Sequence, residues 1–200
     1  MADHSTLIGT SQVLGITASG VLAGGILNFS VALVPTLTLP GATSKRTFDS
    51  SFQPGTPVSH IASQWYHAYG IGKSIVPLAS LITASVYSYL SYHFRQGTLT
   101  RQGNVVAANY YLLAALFTIA PVPFTLLIMK PTNNKLIAKA KSAETEGLVA
   151  QKEKDVQGEL RASRDEAEVQ SWLKTWSRLN VVRGLFPLVG TICAAMATIS

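Results

Sequence analysis

Two tryptophans and two polar residues lie at helical spacing where a charged segment passes into an apolar one. They are Trp172, Trp176, Asn180 and Arg183. Their separations of four, four and three residues place them on one helical face, and residues 184–200 carry no charge. An arginine at the end of a membrane helix extends to the membrane interface, forms an ion pair or lines a polar cavity. Two interpretations stay open: an interfacial arginine with a tryptophan belt that sets depth, or one wall of a polar site.

A second group of residues with possible chemistry lies in the segment 60–73. Trp65 and Tyr69 share one helical face, and His60 and His67 share another. Two histidines are weak evidence for a metal, because catalytic zinc sites use three protein ligands. We therefore predict no metal site. His67, beside aromatic residues at a membrane entrance, is a better candidate for a general base.

The composition indicates a small membrane protein. The chain has 200 residues, of which 48% are hydrophobic and 13% are charged, whereas soluble domains carry about a quarter charged residues. The net charge of +6 does not indicate a nucleic-acid partner, because the basic residues are spread over connections beside apolar spans, where they set topology. The single cysteine, Cys193, excludes a disulfide within the chain and a cysteine-based metal site.

Four apolar segments predict an all-α fold: a bundle of four transmembrane helices with a charged helical extension before the last helix. The predicted spans cover residues 7–34, 74–92, 105–129 and 179–199. The connection 130–178 holds ten basic and eight acidic residues, which is typical of a solvated helix or flexible segment rather than a second domain. Ser163 and Glu166 have capping-box spacing, so a helix is predicted to begin there. We predict a single membrane domain over residues 1–200.

Small and polar residues within the first span predict how it packs. Gly20 and Gly24 are four residues apart, a spacing that lets another helix approach closely. Asn28 continues the same face one turn later, and an asparagine inside a membrane requires a hydrogen-bonding partner or a cavity. Asn28 is therefore a candidate either for a packing clasp or for a substrate contact.

Prolines predict irregular backbone at the end of the third span. Pro121 and Pro123 free backbone carbonyls, so a kink or a widened turn is expected. Pro131 is predicted to break the span, after which Thr132 or Asn133 caps a new helix.

The distribution of charge predicts the orientation of the spans. The connections after spans one and three hold nearly all the lysines and arginines, so the positive-inside rule places these two connections in the cytosol. We expect an endomembrane such as the endoplasmic reticulum.

Three tyrosines predict an aromatic belt at the far end of span two: Tyr87, Tyr89 and Tyr92. Several of the polar and aromatic candidates converge at the cytosolic end of the bundle, which favours a site there.

Three sequence stretches, in their order and spacing, resemble the anthrone oxygenase family of small membrane proteins from fungal polyketide pathways. The stretches are QWYHAYGIGKSIVP at 64–77, PFTLLIMKPTNNKL at 123–136 and WSRLNVVRGLFPLVG at 176–190. The resemblance covers essentially the whole chain after the N-terminal tail. It implies oxidation of an anthrone to an anthraquinone, with dioxygen as co-substrate and without any cofactor.

The resemblance also implies roles for the candidate residues. The methylene opposite the anthrone carbonyl is acidic, so the protein needs a base, an oxyanion partner and a dry, flat slot. His67 would be the base, and Arg183, aided by Asn180, would hold the developing oxyanion. The remaining candidates would contact the substrate, the tryptophans by stacking: Trp65, Tyr69, Trp176, Asn133 and Asn28.

Each role has a plain alternative. His67 could be interfacial and solvated, and the tryptophans could be belt anchors only. Arg183 could pair with Asp49, with Glu168 or with lipid headgroups. The protein as a whole could instead be a non-catalytic packing partner, a homo-oligomer or a scaffold for pathway enzymes. A third possibility is a small transporter or a lipid-binding bundle. Transport is mildly disfavoured, because no predicted span contains an aspartate or glutamate.

Overall fold

The structure is a computed structural model that describes residues 2–38, 58–96, 104–146 and 156–200. Every regular element in these ranges is helical, which confirms the predicted all-α class. Asp49, a predicted partner of Arg183, lies outside the described residues. The helices are α1 Ala2–Asn28, α2 Val34–Leu37, α3 Val58–Gln96, α4 Val105–Ile119, α5 Pro121–Phe124, α6 Lys130–Glu146 and α7 Val156–Ile199.

Two π-helical turns interrupt this pattern. Phe29–Leu33 joins α1 to α2, and Thr125–Met129 joins α5 to α6. Four helical stretches are long and apolar enough to cross a membrane: Ser5–Leu37, His60–Gln96, Val105–Ser142 and Ala167–Ile199. The protein is therefore an integral, multi-pass membrane protein.

The last helix extends well beyond the apolar span that it contains. α7 has 44 residues, or about 66 Å at about 1.5 Å per residue, roughly twice the hydrocarbon thickness of a bilayer. Its charged first part is the predicted helical extension. The predicted helix start at Ser163 is wrong, because α7 begins at Val156 and runs through the capping-box sequence without a break. A Ser and a Glu three residues apart also occur inside charged helices, so the spacing alone does not fix a start.

Prolines shape the third span as predicted in one place and not in another. α4 ends at Ile119, α5 begins at Pro121, and the π-helical turn follows, which confirms the predicted widened turn. Pro131 does not break the helix. It is the second residue of α6 and follows directly on the π-helical turn, which already departs from the α-helical hydrogen-bond pattern that a proline disrupts. Asn133 is therefore an interior residue of α6 rather than its cap.

Contacts divide the chain into two compact units, of which the first comprises 1–27, 73–127 and 181–200. Tyr87 and Tyr111 lie at its core, with ring centroids 6.3 Å apart. The hydroxyl of Tyr87 hydrogen-bonds to Ser19 Oγ at 2.7 Å. The prediction of Tyr87 as a belt residue is therefore wrong. A hydroxyl within a span is stable inside the protein when a partner from another helix satisfies it.

Close helix approach in the first unit occurs at glycines other than those predicted. A Cβ added at Gly24 would meet nothing within 4 Å, and one at Gly20 would meet only Thr191, at 3.9 Å. By contrast, a Cβ at Gly190 would lie 2.6 Å from Thr118 Oγ1, and one at Gly184 would lie 2.8 Å from the Leu27 side chain. The tight contacts are thus made by Gly184 and Gly190 of α7, and also by Gly15 of α1, where an added Cβ would lie 2.7 Å from the Tyr87 ring. Gly20 and Gly24 make no such contact.

The second unit comprises residues 28–72 and 128–180. Its helices bury one face each, at intervals of three or four residues. Met129, at the end of the π-helical turn, is buried and is followed on α6 by Asn133, Leu136 and Ala140. On α7 the buried residues of this unit are Val169, Leu173, Trp176 and Asn180. Three of the candidate site residues, Asn133, Trp176 and Asn180, therefore occupy positions that the helical period assigns to the core.

The charged parts of α6 and α7 pair with each other in the second unit. Lys139 Nζ lies 2.6 Å from a carboxylate oxygen of Asp165, and Lys135 Nζ lies 5.7 Å from the ring of Trp172. Such exposed contacts contribute about 1 kcal/mol or less each. Trp172 thus contacts a charged neighbour instead of joining Trp176.

Candidate functional site

Three of the predicted site residues form one aromatic cluster in the second unit. Trp65 and Trp176 are almost completely buried, and their rings meet edge to face with centroids 5.6 Å apart at 88°. Tyr69 stacks on Trp65 at 5.0 Å with an angle of 11° between the planes. We call Trp65, Tyr69 and Trp176 the aromatic cluster. The flat, nearly parallel rings of Trp65 and Tyr69 are of the kind that stacks with an aromatic ligand.

Asn133 adds an amide to the aromatic cluster. Its side chain is 3% exposed, and its Nδ2 donates a hydrogen bond to the Tyr69 hydroxyl at 3.4 Å. The predicted grouping of Asn133 with the aromatic residues therefore agrees with this contact.

Three buried polar atoms, two in the aromatic cluster and one in Asn133, have no hydrogen-bond partner among the described residues. In the part of the chain that the structure describes, the indole nitrogens of Trp65 and Trp176 and the Oδ1 of Asn133 accept or donate no hydrogen bond. Leaving such an atom buried and unsatisfied costs about 1–3 kcal/mol. Two N–H donors and one acceptor beside flat rings are complementary to a ligand that carries both a carbonyl and a hydroxyl group.

Asn180 is fully buried in the second unit and is held by a residue that the sequence analysis did not identify. Its Nδ2 donates to Ser30 Oγ at 2.9 Å, and Ser30 Oγ donates to the carbonyl of Ser177 at 2.9 Å. The Ser30 carbonyl in turn accepts a weak bond from Ser177 Oγ at 3.4 Å. Pro35 was the signal in the sequence that could have indicated a role for Ser30. In a π-helical turn the Ser30 carbonyl would accept a hydrogen bond from the N–H five residues later, and proline has no N–H.

Arg183 belongs to the first unit and is 8% exposed there. Its Nη1 donates to Thr125 Oγ1 at 3.3 Å, and Thr125 Oγ1 donates to the carbonyl of Pro121 at 2.7 Å. Thr125 was not predicted, because a single threonine in an apolar helix usually only bonds back to its own helix. An arginine this deeply buried needs such polar partners to offset its lost hydration.

Two predicted site residues are not brought to the aromatic cluster. His67 follows Trp65 by two residues, or about 200° around the helix, and its side chain is exposed, with Tyr66 as a ring neighbour at 6.2 Å. Asn28 is also exposed, and its side chain does not cap the π-helical turn that follows it.

The charged and sulfur-containing side chains offer no obvious metal site in the described ranges. No group of three or more histidine, cysteine, aspartate or glutamate residues lies together there.

These features define a multi-pass membrane protein with a buried cluster of aromatic and amide side chains. The sequence profile of the anthrone oxygenase family matches residues 65–193, and the chain belongs to that family. The matched range contains all three residues of the aromatic cluster, and also Asn133, Asn180 and Arg183.

Individual relatives cover most of the chain. An anthrone oxygenase of Claviceps purpurea is 31% identical over 88% of this chain and 81% of its own. An anthrone oxygenase of Aspergillus novofumigatus is 28% identical over 92% and 93%, and a monooxygenase of Dothistroma septosporum is 27% identical over 92% and 83%. No solved structure matches the chain significantly.

Proposed function

We propose that this membrane enzyme oxidises an anthrone to the corresponding anthraquinone with dioxygen. The proposal rests on membership of the family and on its several relatives named as anthrone oxygenases. The observation that carries it is the buried aromatic cluster with its unsatisfied donors and acceptor. A flat tricycle with a carbonyl and hydroxyl groups matches both the shape and the polarity of these side chains.

Binding would place the tricycle against the stacked pair of Trp65 and Tyr69. The indole N–H groups of Trp65 and Trp176 would donate to the anthrone carbonyl oxygen, and Asn133 Oδ1 would accept from a substrate hydroxyl. In a site without water these bonds favour ligands that carry the carbonyl and the hydroxyl group. A ligand without those oxygens leaves the buried protein groups unpaired.

The first chemical step is loss of a proton from the methylene opposite the carbonyl. The C–H electron pair moves into the ring system, the new anion is aromatic, and its charge rests largely on the former carbonyl oxygen. Donors aimed at that oxygen stabilise the anion more than the neutral anthrone, which is how preorganised hydrogen bonds accelerate a reaction. We propose that the indole N–H groups have this role.

The second step transfers one electron from the anion to dioxygen, and the resulting radical pair joins to form a carbon–oxygen bond. The peroxide takes up one proton. Loss of the remaining methylene proton then breaks the oxygen–oxygen bond, forms the second carbonyl and releases water. One oxygen atom enters the quinone and the other enters water, so the substrate supplies all the electrons. We propose on this ground that the reaction needs neither a metal nor an organic cofactor.

The membrane location suits an apolar substrate, which partitions into the bilayer before it binds. We propose an endomembrane with the connections after spans one and three in the cytosol, because these connections hold most of the basic residues. Cys193 is the only cysteine, so a Cys193→Ala chain with single cysteines placed in each connection allows labelling from either side. Labelling of both connections from the lumen would contradict this orientation.

The activity is tested by oxygen uptake of the purified protein in detergent with a hydroxylated anthrone. We expect a rate well above the slow autoxidation of a protein-free blank, with one dioxygen molecule consumed per quinone formed. We expect no loss of activity when a chelator is added. No acceleration with several anthrones would contradict the proposed function, and loss on chelation would contradict cofactor independence.

The base role of His67 stays a prediction, and its exposure leads us to expect a small effect. Replacement of His67 by alanine should lower kcat by no more than about twofold, as for other exposed side chains. The methylene proton would then pass to an acceptor other than His67. A large fall in kcat would instead support His67 as the base.

A further inference from the structure

A cleft of about 620 Å³ lies in the second unit, apart from the aromatic cluster side chains. One wall is formed by the end of the first span, including Ser30, Val34 and Pro35. The other wall is the stretch of α7 that contains Leu173, Lys174 and Arg178. Its volume lies within the range of about 300–1,000 Å³ that is usual for small-molecule sites.

The cleft is positively charged. Lys174 and Arg178 line it one helical turn apart, both are exposed, and no carboxylate is among its lining residues in the described ranges. Asp165, the carboxylate that pairs within the charged extension, contacts Lys139 instead. The two cations therefore have no acidic partner among the described side chains, and an anion from outside the chain would complement them.

The hydroxyl groups of the cleft contribute little further donor capacity. Ser30 Oγ donates to the Ser177 carbonyl, Thr38 Oγ1 donates to Val34 and Pro35 carbonyls, and Ser171 Oγ donates to the Glu168 carbonyl. The positive charge that attracts an anion therefore comes from Lys174 and Arg178.

The cleft combines these cations with apolar groups in a helix that passes into the membrane. Val34, Pro35 and Leu173 line it, and both walls belong to stretches apolar enough to span a bilayer. We propose that the cleft binds a membrane phospholipid with an anionic headgroup, whose phosphate lies between Lys174 and Arg178 and whose acyl chains contact the apolar wall. Basic pockets beside membrane helices bind acidic lipids in this way.

Lipid in the cleft would also stabilise the hydrogen bonds that hold Asn180. Ser30 lines the cleft and is the acceptor for Asn180 Nδ2, and Ser177 both lines it and bonds to Ser30. A lipid that fills the cleft excludes water from this hydrogen-bonded group and stabilises it. Any effect of the lipid on catalysis depends on the proposed function, whereas binding of the lipid does not.

The test measures retention of phosphatidylglycerol and phosphatidylcholine by the purified full chain, using native mass spectrometry. The variant carries Lys174→Gln with Arg178→Gln. The matched control carries Lys130→Gln with Arg164→Gln, two exposed cations outside the cleft, and has the same net charge as the variant. Thermal unfolding in detergent checks that both proteins fold.

We expect wild type and control to prefer phosphatidylglycerol, and the cleft variant to bind it on the order of thirtyfold more weakly. Added salt should reduce the preference in wild type. Equal loss in both double variants, or no preference for phosphatidylglycerol in wild type, would overturn the proposal. So would unchanged lipid retention with a raised KM for acidic anthrones, which would assign the cleft to the substrate.

Discussion

Replacement of Trp176 by phenylalanine is expected to lower kcat for anthrone oxidation by about a hundredfold, the usual cost of one lost oxyanion donor. Phenylalanine keeps a six-membered aromatic ring against Trp65. It removes the five-membered ring of the indole, which carries the N–H. That N–H is buried and has no hydrogen-bond partner within the described chain, so its loss does not break a bond in the free protein. The lost N–H should therefore affect catalysis, whereas any loss of stability comes from the smaller buried ring.

The measurement is the initial rate of quinone formation at several anthrone concentrations, with oxygen uptake recorded in parallel. A fall in kcat with a nearly unchanged KM indicates an interaction made mainly in the transition state. Trp172→Phe is the matched control, because Trp172 is partly exposed and contacts Lys135 rather than the aromatic cluster. An equal loss in the two variants, or a rise in KM alone, would contradict the proposed donor role.

Asn133 offers an independent test of the same site. Replacement by leucine keeps the volume and removes the amide that contacts Tyr69 and carries the unsatisfied Oδ1. We expect KM for hydroxylated anthrones to rise about tenfold, in line with one lost hydrogen bond in a dry site, and KM for unsubstituted anthrone to change little. An equal rise for both substrates would indicate that Asn133 only supports packing.

Helical periodicity predicted the residues that face the interior of the second unit. Trp65 and Tyr69 were expected to share a face, and they stack. Trp176 and Asn180 were expected to share another, and both are buried. These successes follow from the 3.6-residue period, which a sequence shows directly wherever a helix is regular.

Periodicity also placed His67 on a different face from Trp65, and its exposed side chain lies about 200° around the helix from that residue. Other local signals were insufficient where the backbone or the partner helix decides the outcome. Asn133 follows a proline that indicated a cap, but the π-helical turn before it allows the helix to continue. Ser30 and Thr125 were missed because their importance depends on Asn180 and Arg183, which are distant in sequence. Tertiary partners of this kind are not encoded in a local pattern.

Replacement of Gly190 by alanine is expected to destabilise the protein by about 1–3 kcal/mol, the usual cost of overpacking. The new Cβ would lie 2.6 Å from Thr118 Oγ1 and 3.1 Å from the Ala114 carbonyl oxygen. The threonine could change rotamer, whereas the carbonyl belongs to α4 and moves only with its helix. Gly24→Ala is the matched control, since its Cβ meets nothing within 4 Å and alanine favours a helix by up to about 1 kcal/mol over glycine.

The two variants should therefore shift the thermal midpoint in opposite directions, when unfolding is followed by tryptophan fluorescence in one detergent. For a chain of this size we expect Gly190→Ala to lower Tm by roughly 2–10 °C and Gly24→Ala to leave it unchanged or raise it slightly. Thr118→Ala combined with Gly190→Ala should recover part of the loss, because it removes the shorter of the two contacts. Equal behaviour of the two glycines would mean that α7 is not packed tightly against α4. A full recovery by Thr118→Ala would show that the carbonyl contact has little effect, and that α4 can move away from α7 at low cost.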